Sequence, residues 1–422
     1  MRVIIGFILL VLSTVSAQAF CGFYVARADG ALYNEASKIV FMRDKRRSVI
    51  TMSSDYQGPA KDFAMIVPTP KILNRDQVRT VKTSVLDHLD AYTAPRLVEY
   101  HDYDPCDQSV EIVEEFILTE PRNGGQAPKR RGADAFGVKI RAQYAVGIYD
   151  IVMLSADQSD GLTAYLRQEG YKIPDGAEGV LADYIKAGMK FFVARVNLKR
   201  LAKDKAQVLE PLQISFRASK FMLPLQLGKV NAKGPQDVLL MTLTRTGAVE
   251  AANYRTQKIP TDTNVPTFVK DVFGQFYKKV FDRTVGRSGV VMEYAWDMAW
   301  CDPCAADPLS DKDLKSLGVH WLKSGANAGQ DVFVTRLHLR YDKNSMKQDL
   351  MLKHTRDRSN FQGRYVMNHP FVGDVSCEDG REYVRDVRAR LRREAVELNT
   401  LTGWSAREIE RRIRRTVPAS YW

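Results

Sequence analysis

Several chemistries leave no mark on this sequence. It has no H-E-x-x-H pair for a zinc peptidase, no G-x-S-x-G turn to present a serine, no glycine loop that cradles phosphate and no calcium loop. Its six histidines, His88, His101, His320, His338, His354 and His369, are scattered along the chain. No run beyond residue 12 is apolar enough over about 20 residues to span a bilayer. A repeat of fixed period is also lacking; Lys61-Asp62-Phe63 before Pro68 and Lys220-Phe221 before Pro224 are too loosely alike to make one. These absences remove the motif-defined hydrolases and nucleotide-binding proteins from consideration. No cofactor is implied, and no metal site is expected.

The chain does carry a leader-like N-terminus. Met1-Arg2 is followed by an apolar run from Val3 to Leu12 and a small, polar stretch ending in Ala17-Gln18-Ala19. Small residues one and three positions before a cut are what a signal peptidase pocket accepts, so residues 1–19 are expected to be a signal peptide cleaved before Phe20. The run is about half the length of a spanning helix. The rest is expected in an exported, periplasmic or extracellular compartment. Nucleic acid is therefore not an expected partner.

Composition is that of a folded globular protein, with 45% hydrophobic and 27% charged residues over 422 positions. The formal charge is +12, of which only Arg2 lies in the leader. A basic balance is compatible with affinity for anionic surfaces, but solubility alone is the preferred explanation. The C-terminal stretch Glu382 to Arg415 reads as helical and dense in arginine. Ser405 is placed to cap its last helix, with Glu408 returning the bond. Arg411, Arg412, Arg414 and Arg415 are the candidates for an anionic-surface contact.

The five cysteines are Cys21, Cys106, Cys301, Cys304 and Cys377. An exporting compartment permits disulfides, and an odd count leaves at least one thiol unpaired within the chain. Trp300-Cys301-Asp302-Pro303-Cys304 has the spacing of a redox pair. However, Asp307-Pro308 interrupts the helix that would lower the pKa of a first cysteine, and Asp302 places a negative charge there. A structural disulfide or inert thiols fit better, with thiol–disulfide activity as the alternative. A zinc site from Cys301, Cys304, His320 and Cys377 has no standard spacing. His101-Asp102-Tyr103-Asp104-Pro105-Cys106-Asp107 gathers groups that could hold a cation; a turn pinned by a disulfide through Cys106 accounts for the same residues.

Periodicity predicts strands at Cys21–Val25, Ser37–Met42, Ser48–Met52, Phe63–Val67, Val110–Leu118, Tyr144–Leu154, Lys190–Asn197, Leu212–Phe216, Met222–Leu227, Val238–Thr244, Val290–Tyr294 and Val332–Tyr341. The turn Arg43-Asp44-Lys45-Arg46-Arg47 makes the second and third a hairpin. Helices are predicted at Asp76–Tyr92, Leu162–Gly170, Val180–Lys186 and Thr267–Phe281, the last preceded by coil over Thr256–Pro266. Strands come in runs with helices inserted, which indicates an α+β fold with antiparallel or mixed sheets and a helical C-terminal tail. Glu120 to Gly137 reads as a linker or long loop. The expected regions are 20–120, 138–285 and 286–422.

Cys21-Gly22-Phe23-Tyr24-Val25-Ala26, Asp62-Phe63-Ala64-Met65-Ile66-Val67-Pro68, Tyr294-Ala295-Trp296-Asp297 leading into the Cys301/Cys304 pair, Thr335-Arg336-Leu337-His338 with Tyr341, and Asn360-Phe361-Gln362-Gly363-Arg364-Tyr365 occur in an order that resembles the bacterial family catalogued as domain of unknown function 2330. The resemblance runs from about Cys21 to His369 and implies an exported protein, with no activity or catalytic residue to carry over. The expectation is an exported, non-enzymatic protein that binds an unidentified protein or envelope component.

Overall fold

The structure is a computed structural model; it describes residues 23–26, 33–57, 63–107, 138–169, 171, 173–197, 199–200, 210–230, 234–300, 306–322, 329 and 331–421. Alternation along the strands sets the architecture. In β2 (Tyr33–Asp44), Ile39 and Phe41 enter one apolar cluster while Val40 and Met42 enter another. In β4 (Phe63–Thr69), Met65 and Val67 join the cluster of Ile39, but Ala64 and Ile66 join a third. Successive strand side chains point to opposite faces, so each strand is apolar on both sides and its sheet must be covered on both.

Two sheets meet that requirement. The first is antiparallel, in the order β1 (Phe23–Ala26), β4, β9 (Lys190–Val196), β8 (Tyr149–Ala156), β7 (Val138–Val146). The second is nine-stranded and mixed: β14 (Thr256–Lys258), β16 (Gly289–Asp297), β17 (Phe333–Tyr341), β12 (Gln236–Thr244), β2, β3 (Arg47–Gln57), β10 (Leu212–Arg217), β5 (Val78–Thr80), with β19 (Phe361–Gln362) also on β16. Their inner faces share one core, from Phe41 and Ile50 to Met153, Phe192 and Leu240. Helix α1 (Thr83–Thr93), through Val85, Leu86 and Leu89, and α5 (Asp311–Ser316), through Leu314, cover the outer face of the larger sheet. Helices α2 (Ser159–Gln168) and α3 (Ala177–Lys186) cover the smaller one. The layers thus run helix, sheet, sheet, helix.

A third unit stands beside the larger sheet. Helices α4 (Phe273–Val285), α6 (Glu378–Thr402) and α7 (Ala406–Thr416) share a core with Tyr365 and Met367 of β20 (Arg364–His369). β20 is the middle of a parallel trio with β15 (Thr263–Asn264) and β6 (Arg96–His101). A further small sheet joins β11 (Met222–Leu223), β18 (Leu350–His354) and β13 (Val249–Ala251).

The fold is therefore α+β with mixed and antiparallel sheets and a helical C-terminal region. The β2–β3 hairpin turns at Lys45 and Arg46, inside the expected loop. Four local readings are corrected. The helix expected from Asp76 begins at Thr83, because Val78 pairs with Ile214 of β10 instead. The strand expected over Tyr144–Leu154 is a hairpin: Gly147, at φ +52°, turns the chain where an added Cβ would lie 2.5 Å from Glu210 Oε2. Met222–Leu227 is a two-residue strand followed by a tight turn. Thr256–Pro266 contains two short strands rather than coil alone. The expected linker at 120–137 and strand at 110–118 lie outside the described residues. The nine-stranded sheet takes strands from all three stretches 20–120, 138–285 and 286–422.

Candidate ligand-binding cleft

Where the two sheets splay apart, their shared core opens into a cleft of about 550 Å³. Its floor is apolar: Ile50 and Met52 from β3, Val67 and Pro68 from the end of β4, Ile214 and Phe216 from β10. α3 and the segment 222–226 supply the walls. The rim is basic. Arg46, Lys71, Arg217, Lys220 and Lys347 line it, against the acids Asp183 and Asp349. An apolar, mostly preformed concavity with a few polar groups at its edge is the usual form of a small-molecule site.

Two buried cations shape the rim from behind. Arg43 donates to Ser48 Oγ at 2.6 Å and to the carbonyls of Ala218 and Ser219 at 3.0 and 3.1 Å, and lies over the Phe221 ring. It thereby holds the 217–221 loop that carries Arg217 and Lys220. Lys229 donates to the carbonyls of Ser345 and Met346 at 2.6 and 2.5 Å, fixing the turn that presents Lys347. Burial, then the neighbouring Lys347, lower its pKa to about 8, against the pull of Asp342 and Asp349. Asp349 Oδ1 accepts from Tyr184 Oη at 2.6 Å and from the amides of Leu225 and Gln226 at 2.8 and 3.2 Å. Burial nevertheless leaves its pKa raised. This carboxylate ties α3, the 224–226 turn and the start of β18 into one wall.

A second polar assembly lies between the larger sheet and its helices. Arg336 and His338, two residues apart on β17, reach Glu293, which sits at a register shift in β16. Glu293 Oε2 accepts from Arg336 Nε at 2.6 Å, and Oε1 lies 2.7 Å from His338 Nδ1 and accepts from Tyr277 of α4. Arg336 continues to Asp90 of α1 at 2.5 Å, and Lys38 closes on Asp90 at 2.7 Å. Burial acts to raise the pKa of Glu293, but His338 and Arg336 outweigh it and bring it to about 2. His338 stacks on Phe281. Lys38, Asp90, Arg336 and Glu293 each face a group of opposite charge, so this chain fastens α1 and α4 to the sheet.

The residues expected from sequence to form a site do not converge. Cys106 and Cys377 form a disulfide with Cα atoms 6.1 Å apart, so the turn at Asp104–Cys106 is pinned as one expectation held. Cys21, Cys301 and Cys304 lie outside the described residues. The zinc set weighed from Cys301, Cys304, His320 and Cys377 loses Cys377 to that disulfide, and His320 Nε2 instead lies 3.3 Å from Asp44 Oδ2. On α7, Arg411 and Arg412 pair with Glu408, and Arg414 with Glu410 at 2.6 Å. Ser405 caps α7 by accepting from the Glu408 amide at 3.2 Å. The Glu408 carboxylate engages the two arginines rather than closing a capping box. Arg415 is exposed. The cleft residues carried no motif in the sequence.

A family model described as an uncharacterised protein conserved in bacteria, domain of unknown function 2330, matches residues 15–353, and the chain belongs to that family. No curated protein and no solved structure matches it. Among the described residues, no helix is long and apolar enough to cross a membrane.

Proposed function

We propose that this member of the bacterial family is a non-enzymatic binding protein, and that its cleft takes a small amphiphile with an apolar body and an anionic end. The observation that carries this reading is the pairing of an apolar floor with five cationic rim residues against two acids. An acyl chain would lie along the floor formed by Ile50, Ile214 and Phe216 and gain about 25 cal/mol per Å² of whatever apolar surface the cleft still exposes to water. A carboxylate or phosphate head would remain at the rim among Lys71, Arg217 and Lys220, where its charge is opposed and still partly hydrated.

The protein works outside the cytoplasm in this reading, after cleavage following Ala19. The leader-like N-terminus and the Cys106–Cys377 bond support that placement, since such bonds persist in oxidising compartments. The arginines of α7 add a second basic surface for contact with an anionic envelope component.

Titration with dodecanoate and with dodecanol, followed by calorimetry, tests the cleft. Saturable 1:1 binding of dodecanoate is expected, with dodecanol weaker by tenfold or more. Ile214→Trp should abolish binding by filling the floor, and Lys71→Glu with Lys220→Glu should remove the preference for the anion. Equal affinity for both ligands, or binding that survives Ile214→Trp in a protein with an unchanged melting temperature, would overturn the reading.

A further inference from the structure

The parallel pairing of β6 with β20 places His369 opposite His101 and Met367 opposite Glu99. Glu99 and His101 are two residues apart on one strand, so they share a face, and directly opposed residues of paired strands share it too. Farther back, that face buries Tyr365 and Met367 under the helices. At its C-terminal end the apolar cover stops and Glu99, His101 and His369 emerge together. The two imidazole rings stack with centroids 4.4 Å apart and planes 11° from parallel. His369 Nε2 lies 2.9 Å from Glu99 Oε2. One ligand-type atom from each of the three residues lies within 4.8 Å of the others.

The segment is also held still. Asp102, next to His101, donates its amide to the carbonyl of His369 at 2.9 Å. Its carboxylate is gripped by Arg390 at 2.6 and 3.2 Å and by Tyr383 Oη at 2.6 Å, both from α6. Five residues beyond His101 and eight beyond His369, the Cys106–Cys377 bond joins the two chain segments covalently. Ligands on two strands are thus kept at a fixed separation by backbone, ion-pair and disulfide links, which reduces the ordering cost of closing them on an ion.

The geometry points to a divalent transition-metal site formed by His101, His369 and Glu99, with zinc as the ion its chemistry fits. Imidazole nitrogen with one carboxylate oxygen is a borderline donor set, suited to zinc and poorly suited to calcium or magnesium, which take oxygen. Bonds of about 2.0–2.1 Å in a tetrahedron bring ligand atoms to roughly 3.4 Å from one another, a shift the partly exposed side chains make by rotation. Three protein ligands leave a fourth position for water or an anion. In the absence of an ion, Lys270 stands in as the counter-charge, with Nζ 2.7 Å from Glu99 Oε1. Binding displaces Lys270. The site is separate from the cleft and does not depend on the reading given to it.

The test uses the full chain with its disulfide formed and its other thiols blocked by iodoacetamide, so that cysteine cannot supply ligands. Equilibrium dialysis against Zn²⁺ should show one saturable equivalent per chain. His101→Ala and His369→Ala should each weaken it by tenfold or more, Glu99→Gln by several-fold, and His88→Ala not at all. Lys270→Gln should tighten it several-fold by removing the competing cation, an effect that no purely structural role of these residues produces. In the unmutated protein, Zn²⁺ should shift the imidazole NMR resonances of His101 and His369 and leave those of His88 and His354 in place, which tests the assignment even if a variant fails to fold. Absence of saturable binding, retention of it in the double variant His101→Ala/His369→Ala, or weaker binding in Lys270→Gln would overturn the site.

Discussion

Two buried glutamates, one in the sheet and one in the C-terminal helices, show opposite consequences of the same burial. Glu293 is fully enclosed and is met by Arg336, His338 and Tyr277; its pKa falls to about 2. Glu394 on α6 is 2% exposed, and Arg390 stays 3.8 Å from its Oε1, too far for a hydrogen bond. Arg390 is occupied by Asp102 instead. Burial, only partly offset by Arg390, pushes the pKa of Glu394 up to about 7. Desolvation is common to both, so the number of cationic donors aimed at the carboxylate decides the sign. The sheet spends two side chains of β17 on its glutamate, whereas the helix leaves its own without a committed partner.

The largest expected effect breaks the paired member. Glu293→Ala leaves Arg336 buried beside Asp90 with half its counter-charge gone, and should cost about 3–5 kcal/mol in urea denaturation at pH 7. A loss below 1 kcal/mol would show that α4 and the sheet stay joined without this ion chain. The same pairing predicts acid sensitivity. A glutamate pKa lowered from its ordinary 4.5 to about 2 contributes stability that is present above pH 4.5 and lost as pH falls toward 2.

Glu394 has the reverse sign. With the folded value near 7 and an unfolded value of 4.5, the native state holds the extra proton between those limits, so its contribution falls as pH rises through that window. Glu394→Gln should therefore stabilise the protein at pH 8, by on the order of 1–3 kcal/mol, and do little at pH 4. Equal effects of the substitution at the two pH values would contradict the comparison. The smallest effect concerns the surface of the same helical unit. Replacing Arg411, Arg412, Arg414 and Arg415 with Gln should weaken retention on anionic vesicles at low salt by a few-fold, because three of the four already pair with Glu408 or Glu410. Unchanged retention would remove α7 as a surface contact.

What was legible in the sequence was what neighbours along the chain decide. The hairpin of β2 and β3 and helices α2 and α3 follow from apolar spacing and local turn residues, although each helix begins three residues earlier than periodicity placed it. Val78 shows the limit. Its spacing from Val81 and Val85 fits a helix, yet its backbone pairs with Ile214 in β10, and a strand partner so distant in sequence leaves no local trace. The disulfide partner of Cys106 was open for the same reason, since Cys377 is 271 residues away. His101 and Glu99 stood two residues apart in plain view, but only the register with β20 adds His369 to them.

Period, composition and ordered segments are enough to specify the α+β class, the arginine-dense final helices and the family to which the chain belongs. The tertiary structure alone decided which charged groups are matched and where a cavity opens. Arg46, Lys71, Arg217 and Lys347 are strangers in sequence that become neighbours at one rim. Whether Glu293 or Glu394 keeps its proton depends on which side chains face it across the core. Both outcomes are set by non-local packing, and no linear pattern encodes the distance between a carboxylate and a cation that lies on another strand or is held by another acid.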